Sequence, residues 1–170
     1  MLRAIGRVIE PVHRDSGFLV TFNGTAHDLP VLRRRAAANW LFDEGLALWS
    51  DDPAGRHIDL FREPGGSGTG GASLQDECAA LMIGLHRGPA RGRSLAGMAL
   101  RKAQTDVVAT FILLLHELSL QARSDTDLRS GVSHLAGHLR QDWPEEEHLS
   151  AFRTMPIFRA VELTRSGLAV

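Results

Sequence analysis

Leu95-Ala96-Gly97-Met98-Ala99-Leu100-Arg101-Lys102-Ala103-Gln104-Thr105-Asp106-Val107-Val108-Ala109-Thr110-Phe111-Ile112-Leu113-Leu114-Leu115-His116-Glu117-Leu118 is the longest helical pattern in this chain of 170 residues. Apolar side chains recur at Leu95, Met98, Ala99, Ala103, Val107, Phe111, Leu114, Leu115 and Leu118, a spacing that places them on one face of a helix. The pattern predicts a core helix capped by Ser94, with a break or kink near Gln104-Thr105-Asp106. Directly before it stands a basic elbow broken by glycine and proline, His86-Arg87-Gly88-Pro89-Ala90-Arg91-Gly92-Arg93. Charge is carried by the elbow and packing by the helix that it feeds.

On the C-terminal side, Gln121-Ala122-Arg123 ends that element and Ser124-Asp125-Thr126-Asp127 forms a turn with a new N-cap. The next helix carries Leu128, Val132, Leu135, Ala136 and Leu139, and Trp143-Pro144 ends it. Glu145-Glu146-Glu147 suits a further helix start, where the dipole favours acids. Met155-Pro156 interrupts this last element, leaving a short helix or a frayed tail. On the N-terminal side, Ser73 followed by Asp76 is a capping-box-like start for a helix from Leu74 to about Leu85 that buries Cys78, Leu81, Met82 and Leu85.

Glu63-Pro64-Gly65-Gly66-Ser67-Gly68-Thr69-Gly70-Gly71-Ala72 reads as a linker. Before it, Leu32 to Trp49 is helical in pattern, with Leu32, Ala36, Trp40, Leu41, Leu46, Leu48 and Trp49 as core candidates, and Asp51-Asp52-Pro53 closes the element. His57 to Phe61 suits either a short strand or a helical turn. The first thirty residues admit two readings. Arg7-Val8-Ile9 and Gly17 to Phe22 are β-prone and Asn23-Gly24 is a turn signal, which allows a hairpin. An irregular start followed by a short helix competes with it, because isolated two-stranded ribbons are marginal. The expected fold is mainly α, a helical bundle of five or more helices with a small N-terminal β-hairpin as an option. The expected division is residues 1–64, a linker over 65–72 and a helical bundle over 73–170.

Hydrophobic residues make up 44% of the chain, enough for a core. The one cysteine, Cys78, excludes an internal disulfide and a four-thiolate zinc site. The charged start does not read as a secretory signal, and no apolar run approaches the roughly 18 to 20 residues of a membrane span. A cytoplasmic protein with no membrane partner is expected. The net charge of −1 conceals an uneven distribution. Residues 1–71 hold eight Arg and nine acids, residues 103–170 six Arg and nine acids, but residues 72–102 hold four Arg, one Lys and two acids, about +3.

No catalytic set is convincing, and no cofactor is called for. Gly66-x-Gly68-x-x-Gly71 lacks the flanking strands and downstream acid of a dinucleotide site, and there is no Gly-Lys-Ser/Thr of a phosphate loop. The elbow also has the arginine and glycine content of an acyl-CoA pyrophosphate loop, but the helical period after it argues against that fold. Cys78 has apolar neighbours and no activating partner, and no Gly-x-Ser-x-Gly elbow exists. His134 and His138 are four apart on a predicted helix and can share a metal ion, which leaves a helical metal-dependent enzyme as an alternative. Leu-Ala-Gly stands between them where a zincin places its catalytic Glu.

Nucleic acid is the partner that the remaining charge suits. Arg87, Arg91, Arg93, Arg101 and Lys102 form one cluster and Arg33, Arg34 and Arg35 a second, and such groups neutralise phosphate without reading sequence. The absence of tyrosine and the few aromatics near these clusters speak against base stacking, so the backbone is what would be held. A protein-interaction adaptor whose arginines meet acidic partners, without nucleic acid, is the plainer alternative.

Ala80-Leu81-Met82-Ile83-Gly84-Leu85, the elbow, Gly92-Arg93-Ser94-Leu95-Ala96-Gly97-Met98-Ala99-Leu100, then Phe111-Ile112-Leu113-Leu114 and Leu128-Arg129-Ser130-Gly131-Val132 follow one another at suggestive intervals. This order, over about residues 75–140, resembles the small subunit of the type I CRISPR Cascade surveillance complex, the CasB family. Leu32-Arg33-Arg34 is similar to a segment near that family's N-terminus. The resemblance implies a two-part helical, non-enzymatic subunit in an antiviral defence complex. It would pack beside the guide RNA backbone and hold target or displaced DNA through basic surface residues. Carried over by position, it points to Arg33, Arg34, Arg93 and Arg129.

Overall fold

The computed structural model describes residues 2–41, 55–61, 73–83, 85, 94–150 and 152. Among them the chain is mainly α, with six helices and one two-stranded sheet. The order is α1 (Leu2–Arg14), β1 (Leu19–Thr21), α2 (Asp28–Ala38), β2 (His57–Asp59), α3 (Leu74–Ala80), α4 (Leu95–Ala122), α5 (Thr126–Gln141) and α6 (Glu147–Ser150). The chain divides into two compact units, Met1–Thr69 and Gly70–Val170.

In the first unit the β-prone Arg7-Val8-Ile9 is helical, because Ile5 and Ile9, one turn apart, pack with Leu32 and Leu41 around the buried Ala36. Packing of that stripe overrides the local strand preference. Pro11 has no N–H to give, but it lies in the final turn and its carbonyl accepts the Asp15 N–H at 2.8 Å. The hairpin expectation is corrected: β1 pairs with β2, in parallel, with Leu19 opposite His57, Val20 opposite Ile58 and Thr21 opposite Asp59. A parallel pair cannot be closed by a tight turn. Asn23-Gly24 does turn the chain, but towards α2, and the carboxylate of buried Asp59 holds the turn by accepting the N–H groups of Asn23 at 2.7 Å and Thr25 at 2.8 Å. Gly24 is required there, since a Cβ would stand 2.5 Å from Thr21 Cβ. Phe22 and Phe61 close the end of the sheet edge to face, 5.7 Å between ring centroids. Helix α2 is shorter than the Leu32 to Trp49 pattern, and Trp40, one of the core candidates, is exposed in a left-handed conformation. Leu46, Leu48 and Trp49 lie outside the described residues.

In the second unit Ser73 caps α3 as expected, accepting the Asp76 N–H while Asp76 accepts the Ser73 N–H at 2.9 Å. The helix ends at Ala80, not near Leu85. Met82 takes a left-handed φ of 57° and is 77% exposed, Leu81 is exposed, and Ile83 is buried in their place. Helix α4 starts at Ser94, whose hydroxyl accepts the Gly97 N–H at 3.2 Å, and runs unbroken for 28 residues. The expected break near Gln104-Thr105-Asp106 does not occur, and the Thr105 hydroxyl donates to the Arg101 carbonyl at 2.8 Å, which satisfies this polar side chain where it is fully buried.

The buried side of α4 consists of Thr105, Val108, Ala109, Ile112, Leu113 and Leu115, against Val132, Ala136 and Leu139 of α5. This corrects the phase of the expected core face. Leu95 is 82% exposed and Val107 69% exposed, and Phe111 and Leu118 are exposed as well. The helix is apolar on two sides, so periodicity alone does not say which side is covered. It ends in Arg123 at φ 51°, with the Ser124 N–H donating to the Ser119 carbonyl at 3.0 Å before α5 turns back. By length and composition α4 is also apolar enough to cross a bilayer, contrary to the expectation that no stretch would be, and 33% of its most apolar window is buried inside the protein. Its packing on α5 accounts for the covered part of that apolarity, while Leu95, Leu100, Val107 and Leu120 stay exposed. Leu149 of α6 and Phe152 complete the buried set.

Candidate functional site

Helix α2 holds the three adjacent cations. Leu29 and Ala36 are buried and Leu32 packs beside Ala36, which fixes the helix on α1 and leaves Arg33, Arg34 and Arg35 exposed. Three successive positions span more than half a helical turn, so the guanidinium groups fan around the open side of α2. Among the described residues none of the three takes part in an ion pair. Asp28, in the first turn, is the one acid in the helix, so α2 carries three Arg against one acid. Asp28 also sits at the end where the helix dipole favours negative charge.

The other nominated cations are placed differently. Lys102 is paired with the Asp106 carboxylate one turn on. Arg129 Nε donates to Asp125 Oδ2 at 2.5 Å. Exposed pairs of this kind contribute only a few tenths of a kcal/mol, but they hold the charge locally neutral. Arg101 is half-buried. Arg87, Arg91 and Arg93 lie outside the described residues. The structure therefore keeps the α2 cluster whole, while Lys102 and Arg129 stand in local ion pairs.

His134 and His138 are both exposed on α5, and His138 Nδ1 lies 2.5 Å from Asp142 Oδ2. Among the described residues no three His, Cys, Asp or Glu side chains come together to hold a metal ion. Cys78 is fully buried, and burial first, then the negative charges of Asp106 and Glu77, push its thiol up to about 12. It stays protonated at neutral pH and serves as a small apolar core residue. Burial lowers the pKa of half-buried His116, and burial together with Glu77 raises that of Glu117. His148, fully buried, has Nε2 2.9 Å from Gln104 Oε1 and ties α6 to α4.

One feature escaped sequence reasoning. Between α4 and α5 lies an apolar cavity of about 620 Å³. Its floor is made by the buried Val108, Leu139 and Leu149, and Val107, Phe111 and Trp143 stand exposed along it. Gln104, His134 and His138 are its polar residues. The signal was present in Val107 and Phe111, one turn apart on α4 and both beside the cavity. The chain matches no protein-family model, no curated protein sequence and no solved structure.

Proposed function

We propose that this protein is a non-catalytic subunit that binds nucleic-acid backbone within a larger protein assembly. The observation that carries the reading is the α2 cluster: Arg33, Arg34 and Arg35 are exposed, free of ion pairs among the described residues, and mounted on a helix whose other side is packed. Guanidinium groups suit phosphate because their planar forks bind it in two-point fashion. The specific form of the proposal is the assembly implied by the CasB resemblance, a cytoplasmic type I CRISPR surveillance complex, with the arginines on the RNA or DNA backbone.

Binding measured to single- and double-stranded DNA and RNA across a salt series tests the reading. Affinity is expected at low salt and should fall steeply as salt rises. Replacing Arg33, Arg34 and Arg35 together by Ala should flatten the slope by about 0.9 per lost contact on duplex DNA and about 0.7 on single strands. No binding at low salt, or a triple variant that binds like the parent, would sink it.

The protein-interaction adaptor is favoured by a different observation, the exposed apolar side chains of α4 beside the locally neutralised Lys102 and Arg129. It predicts co-purification with protein and none with nucleic acid. A metal-dependent activity through His134 and His138 predicts stoichiometric metal in protein purified without an affinity tag.

A further inference from the structure

Helix α2 closes in a turn of defined chemistry. The Leu41 N–H donates to the Ala36 carbonyl at 2.9 Å and the Trp40 N–H to the Ala37 carbonyl at 3.1 Å, while the Leu41 side chain packs against Ala36. The residue before Leu41 must then take a left-handed backbone, and Trp40 does so at φ 52°. Glycine suits that position because it has no β-carbon to strain. Here the position carries the largest of the standard side chains, and Trp40 is 81% exposed. Folding gains nothing from an indole at such a place, which adds backbone strain and leaves apolar surface in water.

The same turn closes α3, with Met82 in the left-handed position, but α3 carries Asp76 and Glu77 and no cation. At α2 the exposed ring stands at the end of a helix with three exposed guanidinium groups.

We propose that α2 binds single-stranded nucleic acid, with phosphates on Arg33, Arg34 and Arg35 and one base stacked on Trp40. This rests on the backbone binding proposed for the same helix and adds a stacking residue and a strand type to it. Trp40 follows Arg35 by about 8 Å along the axis at 1.5 Å per residue, so a strand held at Arg35 brings a nearby base to the ring. Every base has a π-face, so the stack needs no particular sequence. The interior of a duplex keeps its bases stacked on one another and offers Trp40 nothing. As a core residue Trp40 would be out of reach of a base; exposed, it gives the arginine cluster a stacking platform.

The experiment titrates the full chain at low salt, by fluorescence anisotropy, with a labelled twelve-residue oligothymidylate, an abasic strand of the same length and a twelve-base-pair duplex. Oligothymidylate is expected to bind about tenfold more tightly than the abasic strand and to quench tryptophan fluorescence. Trp40→Ala should reduce oligothymidylate to the affinity of the abasic strand, with the salt slope and duplex binding unchanged, and Trp40→Phe should keep part of the preference. Replacing the three arginines by Ala should weaken both single strands alike. Trp40→Gly should melt at or above the parent, which separates stacking from a role in the fold. Equal affinity for the two single strands, a Trp40→Ala protein that binds like the parent or loses duplex binding equally, or a lower melt of Trp40→Gly overturns the stacking while backbone binding stands. Absence of binding to any strand, or attachment to phosphatidylserine vesicles in place of oligonucleotide, overturns both.

Discussion

Asp59 accepts hydrogen bonds from the backbone N–H groups of Asn23, Thr25 and Phe61, and it is nearly inaccessible to water. Burial alone would raise its pKa, but the Thr25 side chain and the N–H groups of Thr25, Asn23 and Phe61 together outweigh that, and the carboxyl sits below its ordinary value of 3.8. The folded pKa is depressed, so the stabilisation is complete above the unfolded value and is lost as pH falls through 3.8 towards the lower folded value. Chemical denaturation followed between pH 6 and pH 2.5, taken as about that range, should show Asp59→Asn destabilised at the upper end by about 1–3 kcal/mol, because the amide turns an N–H donor towards one of the backbone donors. The gap between parent and variant should narrow as the parent carboxyl becomes protonated. A constant gap would mean that the charge of Asp59 contributes nothing to the turn. None of this was legible in the sequence, where Asp59 sat in a run too short to classify and Asn23 and Thr25 lie 36 and 34 residues away in the chain. By contrast the caps at Ser73 and Ser94 were legible, since a cap is completed within three residues.

Helix α4 shows why elements were legible and their faces were not. Its existence, its start and its approximate end follow from local chemistry. Its phase does not, because apolar residues occupy two sides and only the neighbour decides which is covered. The same limit applies to α1, where a strand-like triplet became helical through Ile5 and Ile9 meeting α2. In the candidate site, Arg33, Arg34 and Arg35 could be read from their polarity as exposed, whereas the pairing of Lys102 and Arg129 with acids one turn away needed side-chain geometry. Helix α5 offers a test of the contact itself. A Cβ on Gly131 would stand 2.6 Å from both Leu115 methyl carbons, but one on Gly137 would meet nothing within 4 Å. Replacing helical glycine by alanine contributes up to about 1 kcal/mol in propensity at either position. At Gly131 overpacking against buried Leu115 opposes this by about 1–3 kcal/mol. Thermal melts should therefore show Gly137→Ala at or above the parent and Gly131→Ala below Gly137→Ala. Equal melting temperatures would show that α4 and α5 are not in close contact at Leu115.

At the scale of the molecule, the second unit holds most of the described core. Among the described residues, the first buries Leu29, Ala36 and Leu60 as apolar side chains, whereas the second buries twelve, including Ile112, Val132 and Phe152 at no exposure. About 100 residues with a continuous helix-on-helix core can sustain cooperative folding. A protein comprising residues 70–170 should therefore unfold in a single calorimetric transition with an enthalpy of about 60–80 kcal/mol. A broad, non-cooperative melt of residues 70–170 beside one sharp transition in the full chain would make the two units a single cooperative fold.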